Sequence, residues 1–176
     1  PLGYGIIRMD RGTNPCIHHT VYAGISCIHR TFIHIQKIQS EPPTAFEYMG
    51  LAIQTVDHSP CNIHTIYHPL GDNQNFIDQI METISLNSSP HSKGIFVSDL
   101  NLHWNDATLP QLNALKWFIA DLNLVQSCIS PTHILGATLD LIIAKDKVIE
   151  QVNIAPCDWS DHHLLSFTIT NVVPKW

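Results

Sequence analysis

Hydrophobic and polar positions along the chain change period several times, and each change marks an element. Phe46 to Val56 alternates with period two: Phe46, Tyr48 and Ala52 oppose Met49, Leu51 and Ile53, which predicts a strand with Gly50 as a bulge. The turn-forming run DHSPCN follows. A second strand, NIHTIYHP, ends at Tyr67, because Pro69 cannot donate to a ladder and restricts His68 before it.

After an LGDN turn, Phe76, Ile77, Ile80, Met81 and Ile84 follow the spacing of one helix face, with Asp72 or Asn73 as the cap. SSPHSKG reads as a loop, and Gly94 to Val97 is a continuous apolar run of the kind found in strands buried on both faces. Pro110 opens a second helix, capped by Thr108, with Leu112, Leu115, Phe118, Ile119 and Leu122 on its apolar face. LVQSC, TLDLIIA, KVIEQVNIA and LLSFTIT are four further strands, with the loop SPTHILGA after the first. Residues 1 to 44 are less regular and predict short strands joined by turns, with apolar patches at Tyr22 to Ile28 and Phe32 to Ile38. This order predicts an α/β architecture of mixed sheets with helices outside, in one domain spanning residues 1–176.

Composition narrows the function. Hydrophobic residues make up 44% of the 176 and charged residues only 14%, so the chain has the makings of a folded core, and no apolar run approaches the roughly 20 residues of a membrane-spanning helix. The formal charge is −6, from 9 Lys+Arg against 15 Asp+Glu, which excludes a broad basic grip on nucleic acid and leaves a polyanion to be met locally, through a metal ion. The 12 His fall into no HxxxH or HExxH pattern, which places most of them on the surface or in loops. Five Cys without a CxxC pair argue against a zinc ribbon and against a fully paired disulfide framework, and point to reduced thiols in an intracellular compartment, nucleus or cytoplasm. PLGYGIIRMDRG lacks the features of a signal peptide, and a start at Pro1 rather than Met reads as a fragment.

Candidate chemistry gathers at strand ends. Asp99 and Asn101 are two apart, so in extended chain they point to one side, where a carboxylate orients or deprotonates a water and an amide holds a phosphoryl oxygen. Taken alone, Asp99-Leu100-Asn101 reads first as an Asx turn. Asp140 lies inside an apolar β run and calls for a partner, naturally a His, unless it faces solvent on an edge strand; the sequence leaves both open. Near the C-terminus WSDHHLLSFTI begins an alternating strand with three ionisable groups, of which His162 or His163 could pair with Asp140, and Asp161 could bind a hard cation through oxygen.

The ordered series IYHP, IFVSDLNLHWND, SPTHILGATLDLII and WSDHHLLSF resembles the endonuclease/exonuclease/phosphatase superfamily, most closely the apurinic-type endonuclease domain of non-long-terminal-repeat (LINE-like) retrotransposons, from about Phe46 to Thr170. The resemblance implies a four-layered α/β sandwich of two mixed sheets flanked by helices, incomplete at the N-terminus. It implies metal-dependent phosphodiester hydrolysis with Mg²⁺ or Mn²⁺, DNA as substrate, nicking as the outcome, and a reverse transcriptase domain in a longer product. By the same resemblance Tyr67 contacts the scissile phosphate, Asp99 positions or deprotonates water, Asn101 holds the phosphate, Asp140 orients His162, His162 meets the phosphate and Asp161 lies near the metal; His163 has no assigned role.

The chain also departs from that pattern. The family's YRPP is Tyr67-His68-Pro69-Leu70 and its GDFN is Ser98-Asp99-Leu100-Asn101, so a basic residue and a glycine are replaced. Its Asn-bearing and Glu-bearing first strands have no match before Tyr67, since Glu47 falls in the strand that follows the metal Glu and Glu41 fits no motif. Two other functions therefore stand beside nicking: a catalytically inactive, truncated or degenerate relative that keeps the fold as a binding module, and a phosphatase of the same superfamily. The SPTH and TLDL segments speak against the phosphatase.

Overall fold

A computed structural model describes residues 3–10, 24–41, 43–56, 61–70, 75–89, 93–170 and 172–173. In chain order the elements are β1 (Tyr4–Asp10), β2 (Gly24–Arg30), β3 (Ile35–Lys37), β4 (Glu47–Ile53), β5 (Cys61–Tyr67), α1 (Phe76–Asn87), β6 (Lys93–Asp99), α2 (Pro110–Asp121), β7 (Leu124–Gln126), β8 (Asp140–Lys145), β9 (Ile149–Ala155) and β10 (Leu164–Ile169). Six strands form one mixed sheet in the order β3-β4-β5-β6-β8-β7, in which β5 and β6 are parallel and the other neighbours antiparallel. That parallel pair needs a crossover, which α1 supplies.

The period-two pattern decides which face each residue serves. On one face Tyr48, Ile66, Phe96, Leu141 and Ile143 pack against Phe76, Ile80 and Ile84 of α1 and Leu115 and Ile119 of α2. On the other face Ile95, Ile142 and Ala144 pack against the antiparallel ribbon β9–β10, while Met49 and Leu51 pack against the antiparallel ribbon β1–β2. The described residues thus form three layers, with helices, sheet and paired ribbons in that order: an α/β sandwich built on one mixed sheet.

The two helices and the strands from β4 onward lie where the periodicity puts them, and several local details differ. Gly50 is no bulge, because β4 runs in unbroken register along β5 with Gly50 opposite His64. A glycine suits the position for another reason: a Cβ there would lie 3.0 Å from the Tyr48 hydroxyl and 3.1 Å from Ile38 Cβ. Thr108 does not cap α2. Its hydroxyl donates to Asp106 at 2.6 Å, the N-cap is Leu109, and Pro110 takes the first turn as expected. The N-cap of α1 is Asn75, while the expected caps Asp72 and Asn73 lie outside the described residues, as do parts of the DHSPCN, LGDN and SSPHSKG turns and of the Tyr22 patch.

The histidines are also not all peripheral. His64 is 0% exposed, shares a 2.8 Å hydrogen bond with the Tyr48 hydroxyl and stacks on Phe96. His68 is buried as well, stacked on Phe76 with its Nδ1 bonded to the Leu100 carbonyl. Aromatic surfaces on two sides make an uncharged imidazole a serviceable core residue, which a scan for metal-ligand spacing does not register. Cys27, Cys61, Cys128 and Cys157 are free thiols, and no helix among the described residues is long and apolar enough to cross a membrane.

Candidate active site

Sheet register brings four polar residues into one row. Glu47 lies opposite Tyr67, Tyr67 beside Asp99, and Asp99 opposite Asp140. Cross-strand partners project to the same face, here the face toward the ribbons. Each is also a strand terminus: β4 starts at Glu47, β5 ends at Tyr67, β6 ends at Asp99 and β8 starts at Asp140. The row is therefore the rim of the sheet, where side chains are fixed by the ladder and open to the loops. Glu47 is 4% exposed and two strands from Asp99, a separation of about 10 Å between backbones. It stays outside the carboxylate group around Asp99.

His162 joins this rim from the turn between β9 and β10. Its Nδ1 lies 2.8 Å from Asp140 Oδ2 and its Nε2 lies 3.9 Å from Asp99 Oδ2. The first is a hydrogen bond in which the ring N–H donates to the carboxylate, and the second is a charge contact. Asp140 is thus partnered rather than exposed on an edge, and His162, not His163, is the partner. His163 instead donates its backbone N–H to the Thr132 carbonyl at 2.7 Å.

The electrostatics follow from this crowding. Burial pushes the Asp99 carboxyl above its usual range, the Asp140 charge adds to the rise, and the Asn101 N–H and His162 partly oppose it. Burial pulls His162 down, but its hydrogen bond to Asp140 and the charges of Asp140, Asp99 and Asp161 outweigh that, and the net shift is upward. Asp161 is held low by its own backbone N–H and by His133.

Asn101 departs from the extended geometry. The strand stops at Asp99, and Asn101 has φ of 51°, a left-handed conformation that Asn tolerates. Its backbone N–H donates to Asp99 Oδ1 at 3.0 Å, an Asx turn, while its side-chain amide donates to the His68 carbonyl at 2.7 Å. His68 N–H in turn donates to the Asp99 carbonyl. The turn after β6 and the end of β5 are therefore bound together, with Tyr67 and Asp99 on adjacent strands of that unit.

Two residues of the SPTHILGA loop escaped the sequence reading. Thr132 is fully buried, and its hydroxyl oxygen accepts the N–H groups of both Leu139 and Asp140 at 3.0 Å, which fixes the start of β8. His133 pairs with His162 in an isolated antiparallel bridge, sets its ring edge-on to the His162 ring at 5.1 Å, and places Nε2 3.4 Å from Asp161 Oδ2. The only signal was a further ionisable group in a loop between two candidate motifs.

Two groups of side chains present ligand atoms within 4.8 Å of one another: Asp99, Asp140 and His162, and His133, Asp161 and His162. Asp99 and Asp140 are like charges facing across one register position, which a divalent cation would relieve. Carboxylate oxygens are the donors a hard cation prefers, and each group supplies them, from Asp99 and Asp140 in the first and from Asp161 in the second, so the residues present fit such an ion.

No family model and no curated protein matches the chain. Solved structures do. The catalytic domain of human Nocturnin with bound sulfate is similar over 96% of this chain and 73% of its own, at 14% identity and a TM-score of 0.60. An endonuclease/exonuclease/phosphatase family protein from Bacteroides thetaiotaomicron is similar over 94% and 74%, at 11% identity and a TM-score of 0.59. TDP2 of D. rerio, complexed with a single-strand DNA product, is similar over 94% and 77%, at 14% identity and a TM-score of 0.53. At these identities the likeness is one of fold: this chain shares the α/β sandwich of these structures.

Proposed function

We propose that this chain hydrolyses phosphodiester bonds in DNA with the help of Mg²⁺ or Mn²⁺, as a nicking endonuclease of the LINE-like retrotransposon type. The observation that carries the reading is the Asp140–His162 hydrogen bond of 2.8 Å with Asp99 facing the other ring nitrogen. Three groups from three segments of the chain converge on one point at the sheet rim, and both titrating groups are shifted upward: Asp99 by burial and the Asp140 charge, which suits it to accept a proton, and His162 by Asp140, which suits it to keep one.

In the reaction, Asp99 orients the attacking water and takes its proton, its basicity raised by burial and by Asp140. Asp140 fixes the His162 ring so that Nε2 faces the substrate, and protonated His162 stabilises the charge that grows on the phosphate. Asn101 retains a second amide N–H besides the one given to His68, and this one meets a phosphoryl oxygen. Tyr67, next to Asp99 in the row, contacts the same phosphate from the adjacent strand. Asp161 would hold the cation, which when bound supplies Lewis-acid neutralisation of the phosphate. A reverse transcriptase domain in a longer product is the partner this reading carries with it.

The test is conversion of supercoiled plasmid to open circle in Mg²⁺, with EDTA as control. Wild type should nick, and Asp99→Ala and His162→Ala should lose 100-fold or more, in line with loss of general-base and charge-stabilising groups. Equal nicking by these variants would exclude the assigned chemistry. No nicking by a folded wild type would favour the inactive binding module, a reading to which the unmatched metal Glu lends weight, and phosphate release from an inositol phosphate that stops in His162→Ala would favour the phosphatase.

A further inference from the structure

The geometry points to His133 as a positioning residue, one that donates Nε2–H to Asp161 and so orients that carboxylate toward the cation and the substrate. For the cation this rests on the function proposed above. His133 Nδ1 accepts the backbone N–H of Leu135 at 3.2 Å. A neutral imidazole that accepts at one nitrogen carries its proton on the other, so the 3.4 Å approach of Nε2 to Asp161 Oδ2 is a donation. The same tautomer leaves no lone pair on Nε2. His133 is therefore a partner of a ligand and not a ligand, although it stands in one of the two ligand-rich groups.

Asp161 needs such a partner. Its side chain is 66% exposed in a turn, whereas Asp99 and Asp140 are held by sheet register. With one oxygen engaged by His133, the other is left to a cation in a defined direction, the arrangement by which outer partners orient metal-binding groups.

The loop that carries His133 is itself braced for the task. Ile134 N–H donates to the Asp161 carbonyl at 2.9 Å and His163 N–H to the Thr132 carbonyl at 2.7 Å, so two backbone bonds clamp the Asp161–His162 segment. Thr132 and His133 N–H both reach the Ala137 carbonyl, and Gly136, at φ of +83°, closes the turn with its N–H on the His133 carbonyl. One short loop thereby sets both Asp140, through Thr132, and Asp161, through His133.

The deciding experiment compares wild type, His133→Ala and His133→Gln, whose amide nitrogen can occupy the place of Nε2. Long-range ¹H–¹⁵N spectra of the neutral wild type should show His133 protonated at Nε2, and the Asp161 carboxyl ¹³C signal should move in His133→Ala and return in His133→Gln. Mn²⁺ binding, followed by water proton relaxation, should weaken roughly 10-fold or more in His133→Ala and recover to within about threefold in His133→Gln. A proton on Nδ1, an unmoved Asp161 signal, or a glutamine variant as weak as the alanine one would overturn the assignment. A wild type that takes up Mn²⁺ through this pair yet nicks no DNA would remove the proposed reaction and leave His133 its role. If wild type binds no Mn²⁺, the proposed reaction falls, and the tautomer and the Asp161 signal decide His133.

Discussion

At the level of single residues the site is a set of protonation states imposed by neighbours, and these can be altered one at a time. Asp140→Asn keeps an oxygen for His162 Nδ1–H but deletes the charge that most raises the ring, leaving burial to pull it down. His162 in wild type should titrate above its usual 6.5 and in Asp140→Asn at or below it, read by NMR of the ring signals; an unchanged titration would mean that Asp140 does not tune the ring. His64 answers to the opposite force. Burial pulls it from 6.5 to about 4, so the stability gained by keeping it neutral is fully present above 6.5 and is lost as pH falls toward 4. That gap corresponds to ~3 kcal/mol. Urea unfolding at pH 7 and pH 4.5 should show a smaller loss for His64→Phe than for wild type, and equal losses would exclude His64 as the acid-sensitive group.

At the level of elements, what the sequence discloses depends on whether an element is amphipathic by itself. α1 and α2 bury Phe76, Ile80, Ile84 and Leu112, Leu115, Ile119, one face each, and were legible for that reason. β1 and β2 were not, since Ile7, Met9, Ile25 and Cys27 pack inward while Ile6 and Ile28 face outward, 62% and 66% exposed; apolar residues on both sides erase the period of two. The candidate site divides the same way. Asp99, Asp140 and His162 stand out as ionisable groups at the ends of apolar runs, but the row of Glu47, Tyr67, Asp99 and Asp140 exists only in the register of four strands. Thr132 was invisible because its work is done on the backbone of β8. Thr132→Val, nearly isosteric, strands the N–H groups of Leu139 and Asp140, and should cost about 1–3 kcal/mol in urea unfolding, whereas Thr132→Ser should keep most of it. If valine were tolerated as well as serine, the hydroxyl would not be what fixes the start of β8.

For the molecule as a whole, the reaction proposed above raises the question of how a chain of charge −6 would engage a polyanion. The site offers carboxylates and the imidazoles of His133 and His162 rather than lysines, so phosphate neutralisation must be local. Beside it lie large exposed apolar side chains: Leu135, next in the loop after His133 and Ile134, is 84% exposed, and Trp159, two residues before Asp161, is 83% exposed. Exposed aromatic surface of this kind can stack on bases or sugars without cationic help. Because few counterions would be released on binding, DNA affinity measured by fluorescence anisotropy in Ca²⁺, which occupies hard-cation sites with oxygen ligands, should fall only shallowly with salt, with a log–log slope of roughly −1 to −3. Removing the cation with EDTA should weaken binding at every salt concentration, since it leaves the carboxylate charge of the site unneutralised beside the phosphate. Trp159→Ala should lose about 1–3 kcal/mol of affinity, the usual worth of one stacked base, with the slope unchanged. A steep slope would instead require a basic surface, and with 9 Lys+Arg in 176 residues such a surface would have to be supplied by a partner or by further sequence of the same product.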